Sequence, residues 1–520
     1  MKVNKSLPIA FFCLEYAIED NLPLYAGGLG VLAGDYLLES GKQGVPFVGI
    51  GLFYHQHIPD PSTAGFSLLK NSNSKEVVLE IEIKDPPVLA RVWEKTYGSA
   101  KLFLLDTNIS QNSPELRKIT EKLYDYEITN FLLQQLVLGI GGIKLLNILG
   151  IKPAVYHLNE GHTCFAIIGL LASKNSLSPP TELIVSTKHT IFSAAGAYIT
   201  RDFFNQLLGH FCFKNHLDIE KLFLLGSSEL HPNHFSTTKF LLSYSRKANG
   251  VSKSHCFYES QVHPGSSLIS ITNGVNPDRW EAKDFKAKTN LTDEEFWQIH
   301  QKNKLEMLKE IKKPFSPDIL TLVWARRVTS YKRPLLIFSD LQRLTNILNN
   351  SNFPVQIIIF GQIKENDQEG IELENQIQEF CKNPNISQRV FFSSKYCLKI
   401  SKKLVSGADV WLSSPEIGKE ACSTSGMKSG LNGALQFSTN DGWVTEVNWK
   451  NLGWIIPENN VSNNLYAILE QQIIPLYYQR NETNIPIEWI KRMRKTRQLI
   501  LRKYTTSRML DDYWTKLYCL

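Results

Sequence analysis

Residues 420–433, EACSTSGMKSGLNG, place one carboxylate, Glu420, ahead of a run of small residues and a single lysine, Lys428. Small residues let a backbone come close to a ligand and offer it N–H groups. A helix opening near Gly426 would turn its N–H-rich end toward an anion. A lysine beside such a turn can pair with a phosphate or form a Schiff base with an aldehyde cofactor. An ordinary glycine/serine loop running into a helix, with a solvated lysine, accounts for the same letters. The stretch alone does not decide between them.

Residues 324–333, WARRVTSYKR, follow the apolar run ILTLVWA and put two arginines and a Lys-Arg pair at its end. Open α/β sheets bind ligands at the carboxyl ends of their strands. Guanidinium forks suit phosphate oxygens, and a lysine adds a point charge. Residues 25–35, YAGGLGVLAGD, set glycines just before a helical pattern, where N–H groups and the helix dipole favour a phosphate. They lack both GxGxxG spacing and a P-loop lysine, so a tight turn explains them equally well. Residues 156–162, YHLNEGH, and 187–190, TKHT, also end apolar runs. Their histidines have no HExxH-like spacing, so binding of sugar hydroxyls or helix capping by Asn159 fits them better than a metal. Residues 54–57, YHQH, read as a surface strand end.

Short apolar runs that read as strands must position these groups: residues 9–14, 46–51, 154–157 and 183–186, then 319–325, 355–360, 390–392 and 410–412. Helical spacing separates them, at 30–41, 114–150 in two pieces, and 161–173. Such alternation predicts parallel sheets with crossover helices. Residues 77–106 differ: their β-rich runs predict a small antiparallel insertion. The expected architecture is α/β, with two doubly wound, Rossmann-like domains and a cleft between them. The polar stretch 278–290 sets the division at 1–285 and 286–520, with a helical connection to about residue 313. The basic residues 491–503 read as a solvated helix face.

The chain has 520 residues and a net charge of +7, too diffuse to argue for nucleic acid but permissive of phosphate esters. Its 8 cysteines show no CxxC spacing, which speaks against a zinc ribbon or disulfide framework and fits a reducing cytoplasm. The apolar region 131–155 is broken by Gln134, Gln135, Lys144, Asn147 and Lys152, and predicts a buried helix and strand, not a membrane span.

In combination, YAGGLGVLAGD, YHLNEGHTCF, KHT, NGVSK (249–253), ITNGV (271–275), ARRVTSYKR and EACSTSGMKSGLNGAL resemble the α-glucan phosphorylases, the glycogen, starch and maltodextrin enzymes, in the same order along nearly the whole chain. The shorter bacterial forms are most similar. The resemblance implies the GT-B arrangement and a pyridoxal 5′-phosphate cofactor bound as a Schiff base to Lys428. It implies that Thr424, Arg326 and the Gly28 backbone hold the cofactor phosphate, with Tyr396 against the cofactor. Arg327 and Lys332 would bind the substrate phosphate, with Tyr331 beside them. His189, Asn273 and Glu420 would grip the glucosyl hydroxyls, and the turn 27–29 (Gly27, Gly28, Leu29) would offer N–H groups to the phosphates. No metal is implied.

The implied reaction is phosphorolysis of a terminal α-1,4-linked glucose of glycogen or maltodextrin, giving glucose 1-phosphate with retention. The partners are then an α-glucan and inorganic phosphate, and family members are often homodimers. The chain departs from the family pattern at Cys422, where serine is usual, and at Ser423, where glycine is usual and its N–H faces the sugar. Residues 123–131 lack the common Gly-Gly-Asp and arginine, and Gln135 stands in place of a glutamate. Two other functions remain open on sequence: a GT-B transferase using a sugar nucleotide, and a weakly active relative that binds glucan.

Overall fold

The computed structural model describes residues 6–22, 24–56, 60–174, 183–191, 196–227, 232–262, 267–288, 290–363 and 367–519. His57 of the HxH pattern lies outside them. The chain forms two compact units, Met1–Val251 with Cys256–Ile271 and Met509–Leu520, and Ser252–His255 with Thr272–Arg508.

The first unit is built on strands whose apolar runs are buried on both faces, as a covered parallel sheet requires. In spatial order its parallel strands are Ala100–Asp106, Phe47–Leu52, Ile9–Phe12, Val155–Asn159, Leu183–Lys188, Lys247–Gly250 and Leu268–Ser270. In chain order this reads 3-2-1-4-5-6-7. The β-rich segment forms no separate layer. Ala100–Asp106 pairs parallel with Phe47–Leu52, and Val88–Tyr97 then adds antiparallel, carrying Val78–Ile81 and Ser67–Leu68 along its other side. Ala100–Asp106 joins the main sheet because it carries the apolar run 102–105 and is buried along its length, with only Lys101 short of full burial.

The helical run Ile128–Ile148 is long and apolar enough to cross a bilayer, but 78% of its most apolar window is buried inside the fold. Its middle turn, Val137–Gly141, widens to a π-helix. Gly139 sits where a Cβ would lie 2.4 Å from the Ala166 nitrogen, so only glycine allows this helix to touch Phe165–Lys174.

The second unit holds six parallel strands in the order Val390–Ser393, Val355–Gln362, Leu320–Arg327, Val410–Ser413, Leu435–Thr439 and Trp454–Ile456. Its chain order is 3-2-1-4-5-6. In both units the order reverses beside the first strand, which opens a crevice at the carboxyl ends of strands 1 and 4. The basic residues 491–503 lie on the helix Ile487–Lys503, which buries Trp489, Ile490, Met493, Thr496 and Ile500.

Candidate active site

The switch point of the second sheet lies between Leu320–Arg327 and Val410–Ser413, and both strands deliver polar residues there. Arg326 and Arg327 end the first; Arg326 is 6% exposed and Arg327 is exposed. The chain then makes a tight turn, Ser330–Lys332, that buries Lys332 with its ammonium 4.7 Å from the Tyr331 ring centroid. Backbone after the second strand braces this turn: Glu416 N donates to Tyr331 O at 2.7 Å, and Ser414 Oγ donates to Lys332 O at 3.3 Å.

Glu420 joins the two loops. Its Oε2 accepts from Lys332 Nζ at 2.5 Å and from Arg326 Nη2 at 3.0 Å. Burial would push this carboxyl up, but the charges of Lys332, Arg326 and Arg327 outweigh it and hold Glu420 below the ordinary glutamate range. Arg326 Nη2 also donates to Ser423 Oγ, while its Nε and Nη1 have no hydrogen-bond partner among the described residues. An unpaired buried guanidinium edge is costly unless an anion meets it. Tyr396 belongs to the same cluster. Burial raises its phenol, the Arg326 charge acts on it, and its OH lies 3.0 Å from Ser401 Oγ.

Beyond Glu420 the chain turns sharply. Ser423 has φ 68°, a left-handed conformation that normally calls for glycine. Thr424 then opens the helix Thr424–Leu431. The small residues inside this helix serve packing. A Cβ at Gly426 would fall 2.5 Å from Gln436 Oε1, and Gln436 Nε2 donates to Gly426 O at 3.0 Å. Lys428 is 6% exposed, and its ammonium lies 4.2 Å from the Trp280 ring centroid. Cys422 is buried, which pushes its thiol up, and the Asn273 backbone N–H donates to it. Asn273 Oδ1 is buried without a hydrogen-bond partner among the described residues. Thus Arg326, Arg327, Tyr331, Lys332, Tyr396, Glu420, Cys422, Ser423, Thr424, Lys428 and Asn273 all lie in one unit. A small cavity behind the loop is lined by Ser413, Glu420, Ser423, Gly426 and Asp441 among others.

His189, Gly27, Gly28 and Leu29 belong to the first unit, around its own switch point. His189 Nε2 lies 2.7 Å from Asn159 Oδ1, and its backbone N donates to Glu160 Oε2 at 2.6 Å. Asn159 Nδ2 donates to Cys13 Sγ at 3.3 Å, which turns the amide oxygen to the imidazole and places the His189 proton on Nε2. Glu160 has φ 74° and ψ 164°, a region otherwise almost reserved for glycine. Burial raises its carboxyl, opposed by the nearby Lys188 charge. The helix Gly28–Lys42 starts from a turn whose Ala26 and Gly27 N–H groups are bound by Glu15 Oε2 at 2.8 and 3.1 Å. A Cβ at Gly27 or Gly28 would meet nothing within 4 Å, so no contact inside the fold requires glycine there.

Sequence reasoning passed over Glu15, Asp441 and the Ser252–Ser254 pair. Glu15 read only as the charge that ends an apolar run, and Asp441 stood in an Asn-Asp-Gly turn that reads as a plain loop. Among the described residues no group of three or more His, Cys, Asp or Glu is placed to hold a metal ion.

Comparison with known proteins bears on this geometry. A family model described as carbohydrate phosphorylase matches residues 245–453. A glycogen phosphorylase of Aquifex aeolicus is 33% identical over 98% of this chain and 86% of its own length. A maltodextrin phosphorylase of Thermococcus litoralis is 32% identical over 98% of this chain and 70% of its own, and a glycogen phosphorylase of Mycobacterium tuberculosis is 31% identical over the same shares. With that identity running from one end of the chain to the other, and the matched model spanning the Arg326–Glu420–Lys332 cluster and Lys428, the chain belongs to the carbohydrate phosphorylase family.

Proposed function

We propose that this chain is an α-glucan phosphorylase, which uses inorganic phosphate to release the terminal α-1,4-linked glucose of a glycogen- or maltodextrin-like chain as glucose 1-phosphate, with retention. The observation that carries the reading is the buried Arg326–Glu420–Lys332 cluster with its unpaired guanidinium edge at a sheet switch point. Three cations gathered around one carboxylate leave a net positive site, as an enzyme that binds phosphate needs. The relatives' names support a phosphorylase over a sugar-nucleotide transferase.

The residues also fit pyridoxal 5′-phosphate. The unpaired Nε and Nη1 of Arg326 suit its phosphate, and the buried Lys428 beside Trp280 suits its aldehyde carbon. Lys428, Arg326, Thr424, Tyr396 and the Gly28 N–H would hold it. When bound, the cofactor supplies a phosphate group that relays a proton to the substrate phosphate.

Arg327 and Lys332 bind the substrate phosphate and offset its repulsion from the second anion, with Tyr331 packed under the Lys332 ammonium. His189, Asn273 and Glu420 orient the glucosyl hydroxyls, and the Cys422 and Ser423 backbone lines the sugar. The Leu29 N–H faces the phosphates; the Gly27 N–H, expected from sequence to do the same, is instead taken by Glu15 Oε2. As the glycosidic bond breaks, the positive charge on the sugar is stabilised by the phosphate that these cations hold in place, so no carboxylate pair is required. The reading includes the GT-B architecture that the family resemblance implies.

Two measurements test it. Purified protein incubated with maltodextrin and phosphate should release glucose 1-phosphate. It should also show the absorption of bound pyridoxal phosphate, and borohydride reduction should place the label on Lys428. A fully loaded protein that releases no glucose 1-phosphate would overturn the activity.

A further inference from the structure

The loop carrying Glu420 is tied down by groups that the reaction itself does not use. Asp441 follows the strand Leu435–Thr439 and is 2% exposed. Its Oδ2 accepts from the backbone N–H of Lys419 at 3.1 Å and of Glu420 at 2.9 Å. Its Oδ1 accepts from Gly442 N at 2.7 Å and from Ser254 Oγ at 2.9 Å. The next carbonyls of the loop are held as well. Ser252 Oγ donates to Ala421 O at 2.5 Å, and Trp443 N donates to Cys422 O at 3.4 Å. Gly442 permits this approach: its φ is 58°, and a Cβ there would lie 2.6 Å from Cys422 O.

Four donors converge on two oxygens, and a carboxylate accepts at all of them. An amide cannot do so. In one orientation its NH2 faces the Lys419 and Glu420 N–H groups; in the other it faces the Gly442 N–H. Either way a buried donor meets a donor.

We propose that Asp441 is a positioning residue of the phosphorolysis site, fixing Glu420 and the 421–423 backbone by anchoring the amides of residues 419 and 420, with Ser252 bracing the same loop from its carbonyl side. The inference rests on the function proposed above. Asp441 acts through the loop and touches no substrate. Its effect falls on placement of Glu420, where a shift of about 1 Å carries a large kinetic cost.

The test combines amide hydrogen exchange with steady-state kinetics on Asp441→Asn, Ser254→Ala and the wild type. In Asp441→Asn we expect exchange at residues 419 and 420 to speed up about tenfold or more, and kcat/KM for maltodextrin to fall by a similar factor. The loss should lie chiefly in kcat, with cofactor content and the thermal midpoint close to wild type. Ser254→Ala leaves both backbone bonds to Oδ2 and should cost less than about threefold. Unchanged exchange at 419 and 420 in Asp441→Asn would overturn the proposal, whatever the activity. Equal losses in the two variants would also overturn it, because Asp441 would then act by holding the Ser252–His255 segment. Should Asp441→Asn fail to fold, Ser252→Ala carries the same test from the carbonyl side, with faster exchange in the loop and a lower kcat expected and no change in either refuting. A wild type that releases no glucose 1-phosphate, while its 419 and 420 amides still respond to Asp441→Asn, supports the anchoring and overturns the phosphorolysis reading instead.

Discussion

Replacing Glu420 with glutamine keeps the side chain's size and removes its charge. Arg326, Glu420 and Lys332 have side chains 5%, 11% and 9% exposed, so their charges are poorly screened by water. Removing one partner of a buried ion pair costs about 3–5 kcal/mol, because the remaining charges stay buried. Glutamine can still accept one hydrogen bond, which sets the expected loss of stability toward the lower end, about 3 kcal/mol. A phosphate bound about 5 Å from position 420 no longer meets a like charge. At an effective dielectric constant of about 20 this relieves roughly 3 kcal/mol, a factor of about a hundred in affinity before solvent screening and about ten after it. Urea unfolding of both proteins, with and without phosphate and with chloride matched for ionic strength, reads out both effects. Glu420→Gln should be the less stable protein without phosphate and should recover more of its stability as phosphate is added, following the mass-action gain from ligand binding. Its turnover should fall nonetheless, because the proposed contact to the glucosyl hydroxyls is weakened. A stability deficit that stays the same at every phosphate concentration would refute the claim that the cations at this carboxylate form an anion site.

Ser423→Gly relieves a left-handed backbone worth about 1–2 kcal/mol and gives up one hydrogen bond to Arg326 of similar size. Its unfolding free energy should stay within about 1 kcal/mol of wild type, and kcat/KM for maltodextrin should hold or rise; a tenfold fall would mean the serine is built into the sugar site. His157 is held neutral by burial, with the nearby His189 charge adding to the effect, and its imidazole is pushed down to about 3. Its folded value lies below its unfolded one, so the stability it contributes is present above about pH 6.5 and is lost as pH falls through that window. The loss approaches about 1.4 kcal/mol per pH unit, and unfolding curves of His157→Gln between pH 6.5 and 4.5 should lack it. Gln135 is buried with both amide atoms unpartnered among the described residues, so Gln135→Met should stabilise the chain by about 1 kcal/mol. A destabilised variant would show that the amide has a partner supplied from solution.

The fold was legible where strands are long and apolar. The runs at residues 9–14, 46–51, 319–325 and 355–360 all form strands within a residue or two of the expected ends. Strands of three residues, such as Leu268–Ser270, Trp454–Ile456 and the antiparallel pair Tyr198–Thr200 with His234–Ser236, carry too few alternations for any period to show. The basic loop and the Lys428 segment could be picked out as sites, but not their contact. Arg326 and Glu420 lie 94 positions apart, and only the adjacency of strands 1 and 4 joins them. The glycines misled in part: Gly426 is small because Gln436 presses against it, whereas Gly27 and Gly28 have no such neighbour.

The two switch points differ in charge in a way that separates the chemistry they can handle. Around the first sheet stand Glu15, Glu160, Asn159 and His189, while the buried Lys188 is committed to Glu259. These side chains are hydrogen-bonding groups with negative character, suited to sugar hydroxyls and to positive charge developing on a sugar ring. Around the second sheet, Arg326, Arg327 and Lys332 outnumber Glu420 and suit the anion. A chain that had to hold only a sugar nucleotide would need a single anion pocket and no buried lysine beyond it. Here Lys428 lies buried beside Trp280, one helical turn past the loop whose Glu420 already neutralises part of the cation cluster. Two cations, Arg326 and Lys332, share one carboxylate in the protein itself, and under the proposed function each takes a phosphate in place of Glu420. Titrating phosphate into Glu420→Gln measures how far that carboxylate competes with an anion for these cations.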